Sequence, residues 1–205
     1  MRYQYYESLK QLARSVRLEN GLDGPRVLKS DLKRIYKNQG IRLDYRPYAS
    51  KNLRGAYFND EYGVSVMVSD QLPNDPLIFT LAHELKHHLV DSTLGSVNCV
   101  ARIQETEPIE IGAEVFAAEF LFPEQIFIEF MGQMGLCKGQ QCTRENLVQI
   151  KHDTKTTLSY AGLIKKAEWL GFAEKGSLPR DGWKRLEEQI YGVPFYKRRY
   201  LVGRT

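Results

Sequence analysis

His83, Glu84 and His87 lie together in the run Phe79-Thr80-Leu81-Ala82-His83-Glu84-Leu85-Lys86-His87-His88. On a helix, residues four apart stand one above the other, so two imidazoles at this spacing can reach one metal ion. The glutamate directly after the first histidine then hangs beside the metal. There it can take a proton from a water without holding a coordination position. The chemistry this implies is metal-assisted hydrolysis, with Zn²⁺ as the ion, His83 and His87 as ligands and Glu84 as the base.

Tetrahedral catalytic zinc takes three protein ligands and keeps its fourth position for water or substrate. The run from Glu107 to Ala118 offers the third. Thr106 or Glu107 before Pro108 reads as a helix start, and Pro123 limits the far end. Ile109, Ala113, Phe116, Ala117 and Phe120 form its buried stripe, with Glu110 and Glu114 one turn apart on the adjoining row. Glu110 can complete a His-His-Glu set. Glu114 can accept a ring N–H from a ligating histidine and hold its tautomer. The alternative is an ordinary amphipathic helix whose acidic first turn suits the helix dipole.

The motif His83-Glu84-Leu85-Lys86-His87, then Glu110-x-x-Ala113-Glu114-x-Phe116-Ala117, then Leu121-Phe122-Pro123, resembles the ImmA/IrrE family of metallo-endopeptidases. The resemblance runs roughly from Leu53 to Leu170. It implies a gluzincin, a group in which a glutamate on a second helix is the third zinc ligand, and a zincin-like fold. It also implies a narrow intracellular protein substrate, usually a helix-turn-helix transcriptional repressor encoded nearby. The family often has a small residue where this chain has Lys86, and Asn or Asp where it has Glu114.

Around the motif, Asp75-Pro76 reads as a helix start with Asp75 as N-cap, and Ile78, Leu81, Leu85 and Leu89 recur at helical spacing. Upstream, residues 4–20 read as a helix closed by the Gly/Pro-containing loop 20–25. A second helix follows over 30–38, capped by Ser30 or Asp31. Residues 41–45, 53–58 and 63–68 read as strands, the last two joined by the four-residue connection Asn59–Tyr62. An exposed edge of such a sheet beside a metal can take an extended peptide as an added strand. Downstream, helices are expected over 124–134, 143–152 and 157–170, with Gly171 at the end of the last. The fold expected is α+β: a small, mostly antiparallel sheet packed on the motif helix, with helices before and after. The expected organisation is one metallopeptidase domain over 1–205, with N-terminal helices to 40, a catalytic core over 41–134, and a C-terminal helical region from 135 ending in a basic tail.

The chain has 205 residues, is 42% hydrophobic and 26% charged, and carries a net charge of +4. That length supports one core of ordinary size, and so mild a charge does not by itself argue for nucleic acid. The first ten residues show no apolar run of leader length, and no stretch approaches the ~20 apolar residues of a membrane span. A cytoplasmic protein without membrane contact is the expectation. Cys99, Cys137 and Cys142 lack zinc-knuckle spacing and read as free thiols. His88 reads as a packed histidine. Tyr57 and His152 are both candidates to stabilise an oxyanion, and the sequence does not choose between them. Phe195–Arg204 forms a basic, aromatic tail that could touch nucleic acid or an acidic partner, and the pair of short helices around Ser159 faintly suggests a helix-turn-helix. These features leave two other readings open. One is a zinc-containing regulator that binds a partner or DNA without cleaving anything, and the other is a helical interaction module in which the histidine motif is accidental.

Overall fold

Helix α1 (Arg2–Glu19) and helix α2 (Lys29–Asn38) open the chain in a computed structural model that describes residues 2–47, 54–94, 97–98 and 107–193. Strands β1 (Arg42–Arg46), β2 (Gly55–Asp60) and β3 (Gly63–Ser69) follow, then helix α3 (Asn74–Asp91), the 3₁₀ turn Ser92–Leu94 and the two-residue strand β4 (Val97–Asn98). Helices α4 (Glu107–Leu121), α5 (Glu124–Gln133), α6 (Arg144–Thr154), α7 (Tyr160–Leu170) and α8 (Trp183–Tyr191) complete the described elements. The fold is α+β. Its sheet has the order β1-β3-β2-β4, with β1 parallel to β3 and the other two pairings antiparallel.

The chain divides into two units: residues 1–126 with 156–159, and residues 127–155 with 160–205. In the first, Leu77, Ile78, Leu81 and Leu85 of α3 pack with Tyr57, Val66 and Val68 of the sheet, and with Phe116, Ala117 and Phe120 of α4. Leu9, Ala13 and Val16 of α1 close the other side of that core. The apolar stripes of α3 and α4 are thereby spent on burial, which turns their histidine- and glutamate-bearing rows toward one another. The Tyr36 hydroxyl of α2 donates to the Leu81 carbonyl at 2.8 Å and anchors the middle of α3. In the second unit, Phe127, Leu147, Leu163, Ala167 and Phe172 are buried, and Tyr160 stacks on Trp183 with ring centroids 5.0 Å apart.

Several local expectations are corrected. α3 begins at Asn74 after Pro73, so Asp75 is a first-turn residue rather than the N-cap, and Pro76 sits where its missing N–H has no intrahelical partner. α2 begins at Lys29, and Asp31 serves it from inside by accepting the Leu28 N–H at 2.8 Å. The β2–β3 connection is shorter than four residues. Asp60 pairs with Gly63, leaving Glu61 and Tyr62 as a two-residue turn; Gly63 has φ +100° and Tyr62 N–H donates to Asp60 Oδ1 at 2.9 Å. α7 starts at Tyr160, not Thr157. β4 and α8 are additions: a two-residue strand has no legible period, and Gly182 at φ +76° supplies the turn into α8. Cys99, residues 48–53 and the basic tail over 195–204 lie outside the described residues. Among the described residues, no helix is long and apolar enough to cross a membrane.

Candidate metal centre

α3 supplies two imidazoles to one spot because His83 and His87 are one turn apart; their ring centroids are 5.0 Å apart at an interplanar angle of 69°. α4 brings Glu110 to the same spot from its first turn. Glu110 Oε2 lies 3.3 Å from His83 Nε2, and Glu110 Oε1 lies 3.5 Å from His87 Nε2. One ligand atom from each of the three residues falls within 4.8 Å of the others. This is the group that the motif spacing anticipated, and both histidines present Nε2 to it.

Two imidazole nitrogens and a carboxylate oxygen form a donor set that suits Zn²⁺. His87 is prepared for such a role, since its Nδ1 lies 2.7 Å from Asp91 Oδ2, which fixes the proton there and leaves Nε2 as the donor. The residues therefore fit the ion. Burial opposes charge on His83, but the Glu110 contact and the charges of Glu84, Glu110 and Glu114 outweigh it and raise its pKa. For Glu110, burial likewise works against the charged form. Its contact with His83 and the positive charge of His83, His87 and Lys86 prevail and hold its carboxyl below the ordinary value. A proton and a metal ion thus compete for one negatively biased spot.

Glu84 projects from α3 between the two ligands in sequence, with only 1% of it exposed, and it is not part of the ligand group. Its room is made by Gly55 at the start of β2. A Cβ at position 55 would stand 2.7 Å from Glu84 Oε1 and 2.5 Å from Thr80 Cγ2, so any side chain there would displace the carboxylate. The sheet therefore reaches the site at a glycine, next to the group expected to move protons.

Glu114 is exposed on α4 and acts on His83 through its charge, while the bond that orients His87 comes from Asp91. Asp91 and Gly55 were not singled out from the sequence, and Lys86 stood out there only as a departure from the small residue frequent in the resembling family. Asp91 had a signal, because it follows His87 by four residues on the same helical row. Gly55 had none, since a glycine in a strand does not announce what approaches it. The remaining candidates are placed as follows. The Tyr57 hydroxyl lies 3.3 Å from His88 Nδ1, and burial holds that histidine's pKa below its ordinary value. His152 belongs to the second unit, where it stacks on Tyr191 at 3.6 Å between centroids and its Nδ1 faces Asp153 at 3.0 Å.

Residues 36–137 match the peptidase M78 family model, described as the IrrE N-terminal-like domain. No curated protein matches the chain significantly. Among six matching solved chains is a Mycobacterium tuberculosis transcriptional regulator, with 15% sequence identity and a TM-score of 0.57. The match covers 79% of this chain and 46% of the regulator, so the chain corresponds to about half that protein's length. At that identity the likeness is one of fold.

Proposed function

Since its stretch 36–137 places this chain in the IrrE N-terminal-like peptidase family, we propose that it is a zinc-dependent endopeptidase of the cytoplasm. The observation that carries this reading is the convergence of His83, His87 and Glu110 within 4.8 Å, with Glu84 outside that group. His83, His87 and Glu110 would hold the zinc. When bound, the ion supplies Lewis acidity toward a carbonyl oxygen and makes water easier to deprotonate.

The chain's own residues do the rest. A Glu84 carboxylate oxygen takes a proton from the attacking water as the new C–O bond forms. The same oxygen then returns that proton to the amide nitrogen as the C–N bond breaks, which releases a carboxyl and an amine. Burial of Glu84 under Gly55 keeps bulk solvent from competing for the proton. Asp91 keeps His87 in the Nδ1–H tautomer, and Glu114 adds negative charge near His83. The ImmA/IrrE resemblance favours a helix-turn-helix repressor as the substrate.

A second reading, a zinc-containing regulator that works by binding a partner or DNA, draws support from the fold it shares with the Mycobacterium tuberculosis transcriptional regulator. Glu84→Gln separates the two. The variant should keep parental zinc content and melting temperature, while cleavage of the candidate repressor falls by about 10²–10⁴-fold, the usual worth of general-base catalysis. Cleavage at the parental rate with zinc in place would remove Glu84 as the base. A regulatory effect that persists in the variant without cleavage would favour the second reading.

A further inference from the structure

Lys86 stands where the helix should carry a core residue, and its side chain is 0% exposed. Its Nζ donates to Asp91 Oδ2 at 2.6 Å and to the Ile109 carbonyl at 3.0 Å. Asp91 Oδ2 is the same atom that faces His87 Nδ1 at 2.7 Å. Ile109 is the residue before Glu110. One ammonium group thus touches the supports of two ligands, on two helices, and burial strengthens both contacts.

The N-terminal helix seals this arrangement. The Tyr5 ring of α1 lies under the ammonium, with Nζ 6.0 Å from its centroid. α1 comes this close because residue 112 of α4 is a glycine, where a Cβ would meet Leu9 Cδ1 at 2.9 Å and the Tyr5 hydroxyl at 3.0 Å.

We propose that Lys86 is a positioning residue for the metal centre. Through Asp91 it sets which nitrogen of His87 faces Glu110, and through the Ile109 carbonyl it fixes the first turn of α4. The ligand set is thereby assembled before a metal arrives. This inference rests on the zinc reading above for its consequence but not for its geometry. The 2.7 Å contact of Nδ1 to Asp91 is much shorter than the 3.5 Å contact of Nε2 to Glu110, which favours Nδ1 as the protonated nitrogen of a neutral His87.

The test compares the full-length parent, Lys86→Met and Lys86→Met/Asp91→Leu. The double variant removes both buried charges together, an exchange that folded proteins often tolerate. Long-range ¹H–¹⁵N spectra of the metal-free parent should show His87 as a single Nδ1–H tautomer, and those of Lys86→Met, in which Asp91 remains, a mixture. Competition of added Zn²⁺ with a chromophoric chelator should show one zinc per chain throughout, with affinity reduced about 10–100-fold in Lys86→Met, as for other outer partners of ligands. A purely structural brace would lower the metal-free melting temperature and leave the affinity of the folded protein unchanged, and that result overturns the proposal. If Lys86→Met does not fold, Lys86→Gln, neutral and of similar length with Asp91 left in place, decides by the same affinity criterion. Mixed tautomers in the parent also overturn it. A parent that takes up no zinc yet shows the single tautomer, lost in Lys86→Met, would remove the zinc reading and leave the positioning role standing.

Discussion

Between α1, α4 and α5, Glu119 and Glu124 face Lys10 and Arg14, whereas between α3 and α4, Glu110 and Asp91 face His83, His87 and Lys86. In the first cluster Lys10 Nζ lies 2.6 Å from Glu124 Oε1, and Arg14 Nε lies 2.7 Å from Glu119 Oε1. Glu119 also accepts the Glu124 N–H at 3.0 Å and so caps the start of α5. Its cations are permanent ones. In the second cluster Lys86 is the only such cation among the described residues and is committed to Asp91, while Glu110 faces two imidazoles that can give up their protons. Charge alone does not distinguish the two. What does is whether a carboxylate's partners can become neutral donors toward a third party, and only histidine does that near neutral pH.

Exchanging the clusters' fates is the strongest way to break this comparison. Glu110→Ala should reduce zinc affinity by more than the ~10–100-fold expected for an outer partner such as Glu114, because a bond to the metal is lost. Its metal-free melting temperature should stay near the parent's. Glu119→Ala should do the reverse, keeping parental zinc affinity and losing about 1–3 kcal/mol of stability, chiefly from the unpaired Glu124 N–H. The figure is modest because Arg14, paired with Glu119, is 43% exposed and recovers solvent. Chelator competition and thermal melts on both variants read these outcomes. Equal loss of zinc in the two would mean that the α1–α4–α5 cluster shapes the site as well.

A subtler perturbation sharpens the role of the sheet. Gly55→Ala leaves every ligand in place but inserts a Cβ against Glu84 and Thr80. Displacing the base by a fraction of an ångström should lower kcat roughly 10–100-fold, since misplacement of about 1 Å can cost 10²-fold. Zinc content should be unchanged, and overpacking should cost about 1–3 kcal/mol of stability. Parental turnover in this variant would show that the strand gives way and that Glu84 is not held by it.

Much of the centre was legible because helices make spacing into geometry. His83, His87 and the row bearing Glu110 follow from period 3.6, and Asp91 was readable from the same rule, although Glu114 drew the attention. What the sequence hid depends on contacts between elements. Nothing local to Gly55 says that Glu84 will lie against it, and nothing local to Lys86 says that an ammonium will be buried between α1, α3 and α4. Helix ends shifted by a few residues where caps were assigned to the wrong side chain, as with Asp75 and Asp31. α8 escaped because its stretch is short and its turn rests on a positive-φ glycine rather than on a capping side chain.

The smallest effect is expected at the cysteines, whose thiolates would be the obvious rivals to the histidine centre as a zinc site. Burial pushes the Cys142 thiol up to about 11, against a weaker pull from a backbone hydrogen bond, while Cys137 is exposed. At pH 8 that rise leaves Cys142 roughly 100-fold less thiolate than an ordinary thiol, before burial slows access further. In a Cys99→Ser background, iodoacetamide should therefore label Cys137 quickly and Cys142 only on unfolding, as read by peptide mass mapping. The sign of the linkage runs the same way. The folded state keeps the Cys142 proton after the unfolded chain has released it, so this thiol's contribution to stability falls as pH rises from about 9 to about 11. Replacing all three cysteines by serine should leave one zinc per chain with parental affinity. Loss of metal in that variant would place a thiolate in the centre and undo the distinction between the two clusters, because the conditional donor would then be a cysteine that stays protonated on its own.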